Sequence, residues 1–101
     1  MSTLKLTKPI EAHGEKIDTL NFRDAEGADL RVAGSPVYVV DNRDNTSSTK
    51  FDHGALAIYI SRLAQIPPTA VDKLPPADWN AAKNEVLRLL GFFTEQTSEQ
   101  S

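Results

Sequence analysis

Two proline pairs, Pro67-Pro68 and Pro75-Pro76, constrain what this chain can fold into more than any other feature. Proline has a fixed φ and no amide hydrogen, so it is excluded from a helix interior but suits a helix's first turn. The pairs therefore divide the C-terminal part of the chain into a helix that ends before Pro67, a brief helix over Thr69 to Lys73, and a last helix starting near Ala77. Before the first pair, from Phe51 to Ile66, Leu56, Tyr59, Ile60 and Leu63 fall at i, i+3, i+4 and i+7, one stripe of an amphipathic helix. Ala55 and Ala57 add helix propensity. After the second pair, from about Ala77 to Phe93, Trp79, Ala82, Val86, Leu89, Leu90 and Phe93 share a face, and Asp78 in the first turn suits the helix dipole.

The first half of the chain has a different period. Leu4 and Leu6 alternate with Thr3, Lys5 and Thr7, a half-buried strand that Pro9 should end, and Lys16 to Arg23 reads as a second strand with Leu20 and Phe22 on one face. Ile17 falls on the other side, which suggests a bulge or a late start. Gly14 supplies the turn, so residues 3–23 form a hairpin. Asp24 is a good N-cap for a short helix over 24–33, stopped by Gly34 and Pro36. Val37 to Val40 reads as a short strand, and 41–50, almost wholly Asp, Asn, Arg, Ser and Thr, as an exposed flexible loop. Residues 94–101 contain nothing to bury and read as a disordered tail. The expectation is an α+β fold in one domain over 1–93. An N-terminal β-hairpin, with Val37–Val40 as a third short strand, packs against a C-terminal set of three to four α-helices in the helical part, 51–93.

Leu, Ile, Val and Phe make up 25 of the 101 residues, enough for one core. A domain of this size buries only about 60–70% of its unfolded surface, which leaves little apolar area for a deep substrate cavity as well. No cysteine is present, which removes disulfides and cysteine-built metal sites. The net charge of −3, with no Lys/Arg cluster, argues against a nucleic-acid partner. No apolar stretch approaches 18 residues and the N-terminus lacks the order of a secretory signal, so a soluble cytosolic protein without a membrane partner is expected.

Chemistry-bearing patterns are weak. Asp41, Arg43, Asn45 and Asp52 have calcium-loop spacing, but Arg43 puts a cation where a ligand oxygen is needed. His13 and His53 stand far apart without an ordered set of further ligands. Ser61 sits mid-helix without a Gly-flanked turn to present it, and Gly27 and Gly34 make no phosphate cradle. No catalytic residue, metal site or cofactor is assigned, and a non-enzymatic protein follows. What remains is apolar helix surface. Leu56, Tyr59, Ile60, Leu63, Trp79, Val86, Leu90 and Phe93 are expected in the core. Ile58 and Leu87 lie off the main stripes and Phe92 crowds beside Phe93, so these three are the candidates for partner contact.

The order of short pieces resembles the tail assembly chaperones of Mu-like phages and prophages. The pieces stand as Leu4-Lys5-Leu6-Thr7-Lys8-Pro9-Ile10, Leu20-Asn21-Phe22-Arg23-Asp24, Asp29-Leu30-Arg31 and Ile66-Pro67-Pro68. They continue as Val71-Asp72-Lys73-Leu74, Ala77-Asp78-Trp79 and Gly91-Phe92-Phe93, and together cover most of 4–93. The stretch from Gly34 to Lys50 departs from that pattern. The resemblance implies a factor in the host cytoplasm that binds the tape measure protein, keeps its long apolar helices soluble, and leaves as tail tube subunits polymerise. The tail tube protein is then a second candidate partner, and the chain itself is not expected in the mature virion. An alternative role is a small structural or adaptor protein retained in the particle. The family often makes a longer product by ribosomal frameshifting, for which a run of U encoding Phe92-Phe93 would be the slippery site.

Overall fold

A computed structural model describes residues 2–91. They form β1 (Ser2–Ala12), β2 (Glu15–Phe22), α1 (Gly27–Ala33), β3 (Val37–Asp41), β4 (Ser47–Phe51), α2 (His53–Ala64), α3 (Pro68–Val71) and α4 (Pro76–Leu89). The mixed α+β class expected from the two periodicities is the one observed, built from two separate antiparallel hairpins and four helices.

β1 and β2 turn through His13 and Gly14, both at positive φ (55° and 77°), the geometry of a tight two-residue hairpin turn. β1 does not stop at Pro9. Ser2 to Lys5 pair with Phe22 to Thr19, Ile10 to Ala12 pair with Ile17 to Glu15, and the register shifts between Lys5 and Ile10. The irregularity thus lies in β1, rather than at Ile17, and it holds Pro9, which has no N–H to give a ladder. Thr7 sits in the same irregular stretch, and its N–H turns to the buried carboxylate of Asp78 on α4, 3.0 Å from either oxygen, while its hydroxyl donates to the same group. Asp78 therefore ties the first strand to the last helix.

The core lies between the β1–β2 hairpin and the helices. Leu6, Ile10, Leu20 and Phe22 face Leu56, Ile60 and Leu63 of α2 and Val86 of α4, all buried. α2 is central, packing against β2, α1, α3 and α4, while α4 also covers β1. Asp52 caps α2, its carboxylate accepting from the Ala55 N–H at 3.1 Å, so that helix starts at His53 rather than Phe51. Gln65 closes it in the left-handed region. The proline pairs behave as their chemistry requires: Pro68 and Pro76 occupy the first turns of α3 and α4.

Three further differences from the sequence reading concern α1, α4 and the stretch 41–50. α1 is capped at Glu26 rather than Asp24, because the Asp29 carboxylate reaches back to the Glu26 N–H at 2.8 Å. α4 ends at Leu89. The stretch expected as a loop over 41–50 contains a strand: β4 pairs with β3 from Val37 opposite Phe51 to Asp41 opposite Ser47. Between them the Asp44 carboxylate accepts from the Thr46 N–H and hydroxyl, a local turn that needs no apolar residue. Phe93 and the tail at 94–101 lie outside the described residues.

Candidate protein-binding surface

The solvent-facing stripe of α2 is where apolar and charged groups meet. Ile58, Ser61, Arg62 and Gln65 succeed one another at i, i+3, i+4 and i+7, opposite the buried stripe of Leu56, Tyr59, Ile60 and Leu63. Two depressions run along this stripe. One, of about 240 Å³, is floored by Ala57 and Ile58 and walled by Val32 of α1 and Pro68 of α3, with Arg62 and Asp72 among its charged members. The other, of about 420 Å³, holds His13, Arg23 and Gln65 beside Pro67. Both include Ser61 and Arg62, so they adjoin along α2 in a shallow trough that is apolar at the Ile58 end and cationic at the Gln65 end. Val32 and Ile58 remain 49% and 41% exposed, large apolar side chains left in water beside a concavity.

The trough's cationic end is built on a buried carboxylate. Asp29, fully buried, accepts from Arg23 Nη1 and Nη2 at 2.9 and 2.7 Å and from Arg62 Nε at 2.7 Å. The Arg23 guanidinium is the main reason its carboxyl is held well below the usual carboxylate range. Burial pushes the other way, and Arg62 and the Glu26 N–H reinforce the depression. The three side chains fasten the β2 end, α1 and α2 to one another. Beside them the Arg23 N–H donates to the Leu63 carbonyl at 2.9 Å, and the buried Tyr59 hydroxyl donates to the Gly34 carbonyl at 2.5 Å. Burial, then the nearby Asp29 charge, pushes the Tyr59 hydroxyl's pKa up, so the phenol stays protonated and able to donate.

Of the three residues expected to contact a partner, Ile58 is exposed on the trough floor and Leu87 is not available. Leu87 is fully buried, because α4 is covered on two sides, by α2 and by β1, and its buried arc is wider than one stripe. Phe92 lies outside the described residues. Of the expected core, Leu56, Tyr59, Ile60, Leu63 and Val86 are fully buried, whereas Trp79 and Leu90 are only partly buried against the core. Trp79 instead leans on His53, ring centroids 6.4 Å apart. His13 Nε2 lies 3.1 Å from the Gln65 carbonyl oxygen. Sequence reasoning missed Val32 and the Arg23–Asp29–Arg62 cluster. The Asp29 signal was present as an acidic residue three positions after Glu26, the spacing of a reciprocal cap. A second apolar surface was also missed: Tyr38, Val39, Val40 and Phe51 of the β3–β4 hairpin are 36–64% exposed, with Lys83 Nζ placed 5.1 Å from the Phe51 ring centre.

Among the described residues no group of three His, Cys, Asp or Glu side chains is placed to hold a metal ion, and no helix is long and apolar enough to cross a membrane. The surface is suited to another polypeptide: an apolar floor, charged ends and backbone already satisfied by helices. Searches of curated proteins and of solved structures return no match. The family model described as phage tail assembly chaperone proteins, E, or 41 or 14, matches residues 3–91, nearly everything between the N-terminus and the end of α4. This chain belongs to the phage tail assembly chaperone family.

Proposed function

We propose that this chain binds the tape measure protein of its phage and keeps it soluble until the tail tube assembles around it. Family membership implies a non-enzymatic role in the host cell during assembly, acting on a phage tail protein. A tape measure protein whose long apolar helices stand exposed before assembly would need such a cover. The observation that carries the reading is the exposed Val32–Ile58 apolar surface beside a concavity on a chain of net charge −3. Such a surface holds an apolar helix, while the acidic remainder keeps the complex dispersed. Ile58 is the residue assigned to the contact.

The test is co-expression with the tape measure protein of the same phage. The tape measure product should move from pellet to supernatant and co-elute with this chain, and Ile58→Asp should return it to the pellet. A product equally insoluble with and without this chain refutes the reading. Purified particles lacking the chain, alongside a lysate containing it, separate a chaperone from an adaptor that remains in the virion. The codons for Gly91 to Thr94 test whether a frameshifted longer product exists: an unbroken run of U is required for slippage at Phe92-Phe93.

A further inference from the structure

We infer that the trough along α2 seats an amphipathic helix bearing a carboxylate, with apolar side chains on Val32 and Ile58 and the carboxylate on Arg62. This inference rests on the tape measure reading and specifies which part of that protein is bound. The floor from Ile58 to Gln65 spans about 10 Å at 1.5 Å per residue, two turns of a partner helix. The apolar end is lined, among the described residues, only by α1, α2, α3 and the residue after α3, so an extended segment there would leave its backbone groups unpaired, whereas a helix satisfies its own.

Charge decides the occupant. Arg23 and Arg62 share one buried carboxylate, Asp29, and Glu26 acts further on Arg23, which leaves Arg62, a member of both depressions, as the less compensated cation of this corner. Arg62 gives Asp29 only its Nε, and among the described contacts its two terminal nitrogens meet no acceptor, leaving the fork that recognises a carboxylate in two-point fashion. At the other end of the apolar floor stands Asp72. The complementary helix therefore presents Asp or Glu toward Arg62, Leu, Ile or Val in the middle, and Lys or Arg toward Asp72. A uniformly basic or purely apolar segment matches one part of the trough and not the other.

The experiment uses the full chain and fluorescein-labelled overlapping peptides of about 20 residues, long enough to form a helix, tiling the tape measure protein. Polarisation should identify amphipathic, carboxylate-bearing peptides whose affinity falls with added NaCl. Ile58→Asp should weaken binding about tenfold. Arg62→Gln and replacement of the peptide carboxylate by its amide should each weaken it about fivefold, and together no more than either alone. Because Arg62→Gln also touches Asp29, the peptide-side change against the unaltered chain gives a readout independent of folding. Equal binding of the amide peptide, additive effects of the two changes, or binding that ignores Ile58→Asp each overturn the inference. If full-length tape measure protein still co-elutes with Ile58→Asp, the trough assignment fails and the tape measure reading stands. If neither peptides nor full-length protein bind the unaltered chain, both fail.

Discussion

Replacing Asp29 by Asn removes a charge and keeps the shape, so it isolates what the buried carboxylate contributes. In the folded chain that group is wholly buried and accepts hydrogen bonds from Arg23 Nη1 and Nη2, Arg62 Nε and the Glu26 N–H, at 2.7–2.9 Å. Breaking a buried ion pair by removing one partner costs about 3–5 kcal/mol. Here the arginine side chains retain 30% and 35% exposure and can turn partly to water, which places the loss near the lower end, about 3 kcal/mol. Set against a total stability of about 5–15 kcal/mol, that is a large share, corresponding to a fall in Tm of about 15 °C. The pH dependence has a fixed sign. The folded-state carboxyl titrates well below its unfolded value of about 3.9, so the unfolded chain takes up the proton first as pH falls. The stabilisation is complete above the unfolded value and is lost as pH drops toward the depressed folded one. Asp18, Asp44 and Glu85 are also lowered, by Lys5, Thr46 and Arg88 respectively as the main causes, so the quantity to measure is the difference between wild type and Asp29→Asn. Urea unfolding followed by circular dichroism from pH 7 to pH 3 should show that difference shrinking below about pH 4. A loss under about 1 kcal/mol at pH 7, the range of a surface pair, refutes the account, as does a difference that stays constant with pH.

Three further outcomes are expected. Leu87→Ala should cost about 2–5 kcal/mol, since the side chain is fully buried, and Leu87→Asp should prevent folding, whereas Ile58→Asp, at a side chain 41% exposed, should cost about 1–2 kcal/mol and leave a cooperative melt; thermal melts of the three variants check this. Tyr59→Phe should cost about 1–2 kcal/mol by leaving the Gly34 carbonyl without its donor, read from urea midpoints at unchanged m. Asp78→Ala should cost about 1–3 kcal/mol and speed hydrogen exchange at the Thr7 amide, while amides in the regular part of β1 keep their protection.

What could be read from the sequence was what depends on local chemistry. The proline pairs placed α3 and α4, and the 3.6-residue stripe of α2 picked out the core face that is observed, because those signals act within one element. Period-2 alternation likewise found β1 and β2. What failed depended on partners distant in the chain. Ser47 to Lys50 contain no apolar residue and form a strand only because β3 lies opposite, and an exposed hairpin needs no buried face. Pro9 should have ended β1, but the strand passes it through an irregularity that Asp78, far along the chain, satisfies. Leu87 looked off-stripe because one stripe accounts for one neighbour, and α4 has two. The trough was invisible for the same reason: Val32, Ile58 and Pro68 come from three helices, and the cluster beside them joins Arg23, Asp29 and Arg62 across three elements.

The placement of Asp29 links stability to recognition. A long arginine on an exposed helix face samples many rotamers, and fixing it against a ligand costs about 0.5–1.5 kcal/mol. Arg62 is held at Nε by a carboxylate that is itself immobilised by Arg23 and a helix N-terminus, so its ordering is accomplished when the chain folds rather than when a partner arrives. The same carboxylate fixes α1 against α2, which sets the distance between Val32 and Ile58 and hence the width of the apolar floor. Asp29 is buried beneath the trough, so in the proposed binding it would position Arg62 rather than touch the partner. If a partner helix seats in the trough as proposed, it meets few contacts, and rigidity at those contacts raises affinity without enlarging the surface.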